Sequence, residues 1–148
     1  MLPAIIIIGI ILVDQAVKIL IRTNLELGQI IPVIPNVFNI TYFRNTGTAF
    51  SMFENNLWIT IGLTTVLIVV CLIFMWHEWK KGSKSLAVCL MMVLGGGIAN
   101  MIDRIFIGSV TDMFSFWNFA IFNVADIFVT CGCILAVVAV FFGDRKKA

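Results

Sequence analysis

The chain has 148 residues, 61% of them apolar and 12% charged, with a net charge of +2. A soluble domain of this length carries about twice that charge fraction and still exposes about a third of its unfolded surface, so the composition excludes a freely soluble protein and makes the bilayer part of the solvent. The small positive balance, spread over scattered basic residues, excludes a nucleic-acid partner.

A helix rises about 1.5 Å per residue, so roughly 20 apolar residues cross the hydrocarbon core. Four stretches qualify, at 2–21, 57–76, 86–104 and 121–142. The first resembles a secretory signal in position only. It lacks a basic start, holds Asp14, Gln15 and Lys18 inside the apolar run, and has no small-x-small cleavage site after it. It reads as a retained helix. The segment 22–56 follows, and within it residues 37–44 are β-branched and aromatic after the breaker Ile34-Pro35-Asn36, which predicts a short strand.

The second span carries no charge and has Trp58 and Trp76 at its ends, as interfacial anchors do. Lys80, Lys81 and Lys84 come next, then the third span, whose far end holds Asn100, Asp103 and Arg104. In the segment 105–120, residues 114 onward are too aromatic for an ordinary loop. They read either as a stretch resting on lipid headgroups or as a strand packed on the first segment. The fourth span opens with Asn123 and Asp126, and the tail carries Arg145, Lys146 and Lys147. Basic residues gather on the cytoplasmic side, so both termini and the lysine loop are predicted cytoplasmic, with the two longer segments outside. The fold class is an all-α membrane protein, one integral domain over residues 1–148.

Cysteines 71, 89, 131 and 133 all sit in apolar runs and are expected to act as small packing residues. His77 is the only histidine, which removes histidine-assisted triads and multi-histidine metal sites.

An ionisable group in mid-bilayer costs about 2.5–3.5 kcal/mol and so suggests function. With the predicted orientation, Asp14, Lys18, Asn45, Asn100, Asp103, Arg104, Asp112, Asn123 and Asp126 all reach the outer third of the membrane. Asp14 and Lys18 are i and i+4; Asn100, Asp103 and Arg104 are i, i+3 and i+4; Asn123 and Asp126 are i and i+3. Each set therefore forms one polar stripe on an apolar helix. The Gly95-Gly96-Gly97 run reads as a close-packing surface.

Four outward acids are candidates for chemistry. Asp14 has Lys18 beside it and Asp103 has Arg104, with Arg22 and Arg44 expected near, and a neighbouring cation keeps a carboxylate ionised. Asp112 and Asp126 lack a basic neighbour in sequence and lie 14 residues apart. Brought face to face they would share a proton and act as an aspartic peptidase pair. A small transporter with intramembrane acids is the rival reading. It would need polar residues through the whole membrane thickness, and the inner halves of the spans are nearly all apolar. A non-catalytic assembly factor is the third.

The stretches Asp14-Gln15-x-x-Lys18, Arg44-Asn45-Thr46-Gly47, Gly95 to Arg104, Val110-Thr111-Asp112 and Asn123-Val124-Ala125-Asp126 together resemble the ordered motifs of bacterial lipoprotein signal peptidase (signal peptidase II), over nearly the whole chain. The resemblance implies removal of signal peptides from prolipoproteins just before a diacylglyceryl-modified cysteine. Asp112 and Asp126 would be the catalytic dyad, supported by Asp14, Lys18, Asn45, Asn100, Asp103, Arg104 and Asn123. It further implies an extracytoplasmic β-rich cradle and flap on the four helices, a bacterial inner-membrane location, no cofactor or metal, and a monomer. Three positions depart from the family pattern: Ala99 in place of glycine, Thr48 in place of alanine, and Ile127 in place of serine.

Overall fold

The structure, a computed structural model, describes residues 2–47, 56–117 and 120–143. Four helices dominate it: α1 (Leu2–Asn24), α2 (Leu57–Lys81), α3 (Lys84–Ile107) and α4 (Val124–Gly143). All four are long and apolar enough to cross a membrane. Four strands form one antiparallel sheet at one end of the bundle: β1 (Ile30–Ile34), β2 (Phe38–Asn45), β3 (Val110–Phe116) and β4 (Ala120–Phe122), in the order β1-β2-β3-β4.

Helix α3 is the axis of the bundle and packs against α1, α2 and α4. Half of its span is buried inside the protein, against 6% for α2 and 11% for α4. The bare faces of those outer helices are apolar and suited to lipid. Three consecutive glycines explain why α3 can serve three neighbours. Gly95 lies against Ile10 of α1 and Gly97 against Ile68 of α2. At Gly96 a Cβ would collide with the Ala125 carbonyl oxygen and the Val129 side chain of α4. Small residues permit this close backbone approach within lipid, and it sets the start of α4 against the C-terminal half of α3.

The element boundaries differ from the sequence expectation in physically readable ways. Helix α4 begins at Val124 because residues 120–122 pair with β3 as a strand. Helix α3 runs to Ile107 and stops at Gly108, which takes the left-handed φ of +77° and returns its N–H to the Arg104 carbonyl. That turn sends the chain directly into β3. The predicted strand at 37–44 is β2, and the aromatic stretch is the strand alternative, since β3 pairs with β2. Strand β1 was not anticipated, because Pro32 interrupts it; as an edge strand it tolerates the missing donor.

The cysteine expectation holds for buried Cys89 and half-buried Cys71 but fails for Cys131 and Cys133, which are exposed. The inward stripe of α4 is Ala125, Val129 and Gly132 at i, i+4 and i+7. Residues 131 and 133 flank it and face outward.

Candidate active site

The polar residues converge at the sheet end of the bundle. Asp14, Lys18, Asp103 and Asn123 have no exposed surface, Asp112 is 1% exposed, and Asn100 and Arg104 are also buried. Five of these seven are charged types, so their geometry must offset the desolvation cost.

The base of the site is an ion-pair network between α1 and α3. Lys18 Nζ lies 2.8 Å from Asp14 Oδ2 and 3.3 Å from Asp103 Oδ2. Arg22 Nη1 lies 3.6 Å from Asp103 Oδ1. Gln15 Nε2 donates to Asp103 Oδ1 at 3.0 Å and to the Ala99 carbonyl at 3.1 Å. Removing one member of a buried pair costs about 3–5 kcal/mol because it strands the other charge. The network therefore fixes α1 to α3. Its acids also hold the two segments that matter above it. Asp14 Oδ1 accepts the Ala125 main-chain N–H at 2.8 Å, in the first turn of α4. Asp103 Oδ2 accepts the Thr111 N–H at 2.9 Å, and Arg22 donates to the Thr111 hydroxyl at 3.1 Å. Thr111 immediately precedes Asp112, so that strand position is clamped from two helices.

Asp112 and Asp126 then share a ring of asparagine amides. Asn123 Nδ2 donates to Asp112 Oδ1 at 2.6 Å, and Asn45 Nδ2 donates to Asp112 Oδ2 at 3.1 Å. Asn100 Nδ2 donates to Asp126 Oδ1 at 2.8 Å, and the Asn123 main-chain N–H donates to Asp126 Oδ2 at 3.2 Å. The sheet register explains how Asn45 arrives. Phe43 pairs opposite Asp112, and Asn45, two residues on, points to the same face as a diagonal neighbour.

Burial, followed by the negative charge of Asp126, pushes the Asp112 carboxyl up to about 7 from its ordinary 3.8, against the lowering effect of Asn45, Asn123 and Lys18. Asp126 is half-buried and opens onto a cavity of about 180 Å³. Leu67, Ile68 and Cys71 of α2 form one wall, with Val93, Gly97, Asn100 and Arg104 of α3 as the floor and Val129 on the α4 side. Arg104 Nη2 donates to the Gly47 carbonyl at 3.1 Å, while its buried Nε has no hydrogen-bond partner among the described residues. On the sheet, Phe38, Phe114, Phe116 and Phe122 stack with ring centroids 4.9–6.2 Å apart. By alternation along β3, Phe114 and Phe116 share the face that carries Asp112.

All nine residues selected from the sequence therefore meet in one place. Sequence reasoning gave no role to Gln15 or Thr111, whereas Arg22 stands near Asp103 as expected. Gln15, Lys18 and Arg22 are i, i+3 and i+7, which marks one helix face and was the available signal. Arg44, by contrast, donates to the Tyr42 hydroxyl at 3.1 Å and makes no ion pair with Asp103. Of the three departures from the family pattern, Ala99 is fully buried, with its carbonyl accepting from Gln15. Ile127 is exposed, and Thr48 lies outside the described residues.

A family model described as Signal peptidase (SPase) II matches residues 6–142. The lipoprotein signal peptidase of Streptococcus agalactiae is 40% identical over 139 residues, covering 93% of this chain and 90% of that one. The lipoprotein signal peptidase of Listeria monocytogenes is 38% identical over 143 residues, covering 94% and 92%. A bacterial membrane enzyme solved by the in meso method at 2.3 Å resolution superposes with a TM-score of 0.83 at 27% identity, covering 99% of this chain and 91% of that one. With one buried and one half-buried aspartate held by amides at one end of four membrane-spanning helices, and with these matches along nearly its full length, the chain belongs to the signal peptidase II family.

Proposed function

We propose that Asp112 and Asp126 are the catalytic dyad of this peptidase, and that it cuts just before a diacylglyceryl-modified cysteine at the extracytoplasmic membrane face. The broader activity follows from the family: the chain is a multi-pass bacterial membrane protein and a lipoprotein signal peptidase, an aspartic peptidase that removes signal peptides from prolipoproteins. Both termini face the cytoplasm in this reading, and the enzyme works as a monomer.

Buried Asp112 holds its proton up to about pH 7, while Asp126 is the acid that faces the cavity. As the third residue of α4, Asp126 sits where the helix dipole favours an anion. Asp126 takes a proton from water as the water oxygen attacks the scissile carbonyl carbon. Asp112 gives its proton to the carbonyl oxygen as the C=O double bond opens. Collapse of the tetrahedral intermediate breaks the C–N bond, Asp126 protonates the departing amine, and Asp112 recovers its proton. The pair works as one coupled acid. The apolar lower cavity suits the signal-peptide segment, and the phenylalanine shelf beside Asp112 suits the acyl chains.

The observation that carries this reading is that the N–H donors of Asn45, Asn100 and Asn123 all point at these two carboxylates. The test is turnover of a diacylglyceryl-modified precursor by Asp112→Asn and Asp126→Asn, each still folded in detergent. Both variants should be inactive, and an unmodified precursor should resist the unaltered enzyme. Near-normal turnover by either variant removes the dyad assignment.

A further inference from the structure

The two ends of a primary amide are nearly isosteric, so its orientation is set by neighbours that can only donate or only accept. Each asparagine around the dyad has its oxygen pinned by a donor. For Asn45 the pin is the Gly47 main-chain N–H, 3.0 Å from Oδ1. For Asn123 it is the Asp126 main-chain N–H at 2.9 Å. Both pins belong to the backbone and come with the turn or the helix start.

Asn100 is different, because its principal pin is a side chain. Lys18 Nζ, which has three donors and no acceptor, lies 2.8 Å from Asn100 Oδ1. Asn123 Nδ2 also reaches that oxygen, at 3.1 Å, but it lies closer to Asp112, at 2.6 Å. With the ammonium in place, the Asn100 NH2 points the other way and meets Asp126 Oδ1 at 2.8 Å. A flipped amide would set NH2 against NH3⁺ and a carbonyl oxygen against a carboxylate. Lys18 is fully buried and is itself held by Asp14 and Asp103.

We infer that Lys18 is a positioning residue for peptide cleavage, holding the Asn100 amide in the one orientation that donates to Asp126. The inference rests on the dyad reading above. It assigns Lys18 a part in turnover that neutralising Asp14 and Asp103 alone would not give it.

The test is a double-mutant cycle on a lipidated precursor with Lys18→Met, Asn100→Leu and the pair together. Each single change should lower kcat about tenfold or more, the size of one lost hydrogen bond to a charged group, with KM unchanged. The pair should lose no more than Asn100→Leu alone, because the two residues act in series. Lys18→Arg, which keeps a cationic donor, should recover part of the rate.

Because Lys18→Met strands Asp14, the charge-balanced pair Asp14→Asn with Lys18→Met provides the second route. Asn at position 14 can still accept the Ala125 N–H, and the same fall in kcat is expected. Asn100→Asp leaves Lys18 paired but sets a carboxylate in place of the donor against Asp126, so it should lose at least as much as Asn100→Leu. Wild-type turnover in Asn100→Asp, or losses that multiply in the cycle, overturns the inference while the dyad stands. Activity in Asp112→Asn or Asp126→Asn in the same assay overturns both.

Discussion

Asn123 and Asp126 cap each other: the Asp126 N–H meets Asn123 Oδ1 at 2.9 Å, and the Asn123 N–H meets Asp126 Oδ2 at 3.2 Å. This reciprocal pairing at the cap and third positions satisfies two orphan donors of α4. It also leaves the Asn123 NH2 free to hold Asp112. One residue thus serves both helix stability and the site, and the two roles can be separated. Asn123→Ser keeps a good cap but has no NH2, so the thermal midpoint should hold while kcat falls about 10- to 100-fold. Asn123→Ala loses both and should also cost about 1 kcal/mol of stability. Equal activity in the serine variant and the unaltered enzyme would exclude the NH2 contact as a contributor.

The raised Asp112 carboxyl predicts two pH effects. With Asp112 as the proton holder, kcat/KM should fall above about pH 7, tenfold per unit, as that proton is lost. Stability follows the sign of the shift. The folded carboxyl binds its proton more tightly than the unfolded one, so its contribution is complete below pH 3.8. That contribution is lost as pH rises through about 7. Thermal midpoints taken across this window in detergent should show the decline, and Asp112→Asn should remove its share. An activity profile flat from pH 6 to 9 would place the proton elsewhere.

The four spans and the nine polar residues were legible because lipid enforces both. Apolar length marks a crossing, and the cost of buried charge leaves little reason for Asp14, Lys18 or Asp103 except a shared site. The sheet was half legible. Strand β2 announces itself by β-branched and aromatic residues, whereas β1 is disguised by Pro32 and β4 by its three-residue length. Gln15 stayed silent because an uncharged amide beside Asp14 carries no cost signal. The outward-facing Cys131 and Cys133 show the converse limit: inside lipid, composition cannot separate a helix's packed face from its bare one, since both are apolar.

The three glycines of α3 make a testable distinction between packing and open surface. A Cβ at Gly96 meets the Ala125 carbonyl and Val129, whereas one at Gly9 meets nothing within 4 Å. Gly96→Ala should push α4 away from α3, destabilise by about 1–3 kcal/mol, and lower kcat at least tenfold, because Asp126 begins one residue after the clash. Gly9→Ala, on an exposed face of α1, should leave turnover unchanged. Similar effects from the two substitutions would show that the α3–α4 approach does not set the dyad.

Arg104 presents a buried donor that the described residues leave open. Its Nη2 ties α3 to the turn after β2 through the Gly47 carbonyl, its buried Nε has no partner among the described residues, and the side chain lines the cavity with Asn100 and Asp126. At that cavity a charged, planar donor can meet a substrate carbonyl. Lysine keeps the charge but lacks the planar fork and any donor at the Nε position. Arg104→Lys should therefore raise KM about tenfold with a smaller effect on kcat. The free enzyme's thermal midpoint should change little, while stabilisation by a bound non-cleavable peptide should shrink. Kinetics with a lipidated precursor and melting with and without such a peptide measure both. An unchanged KM would mean that the guanidinium serves the turn after β2 alone.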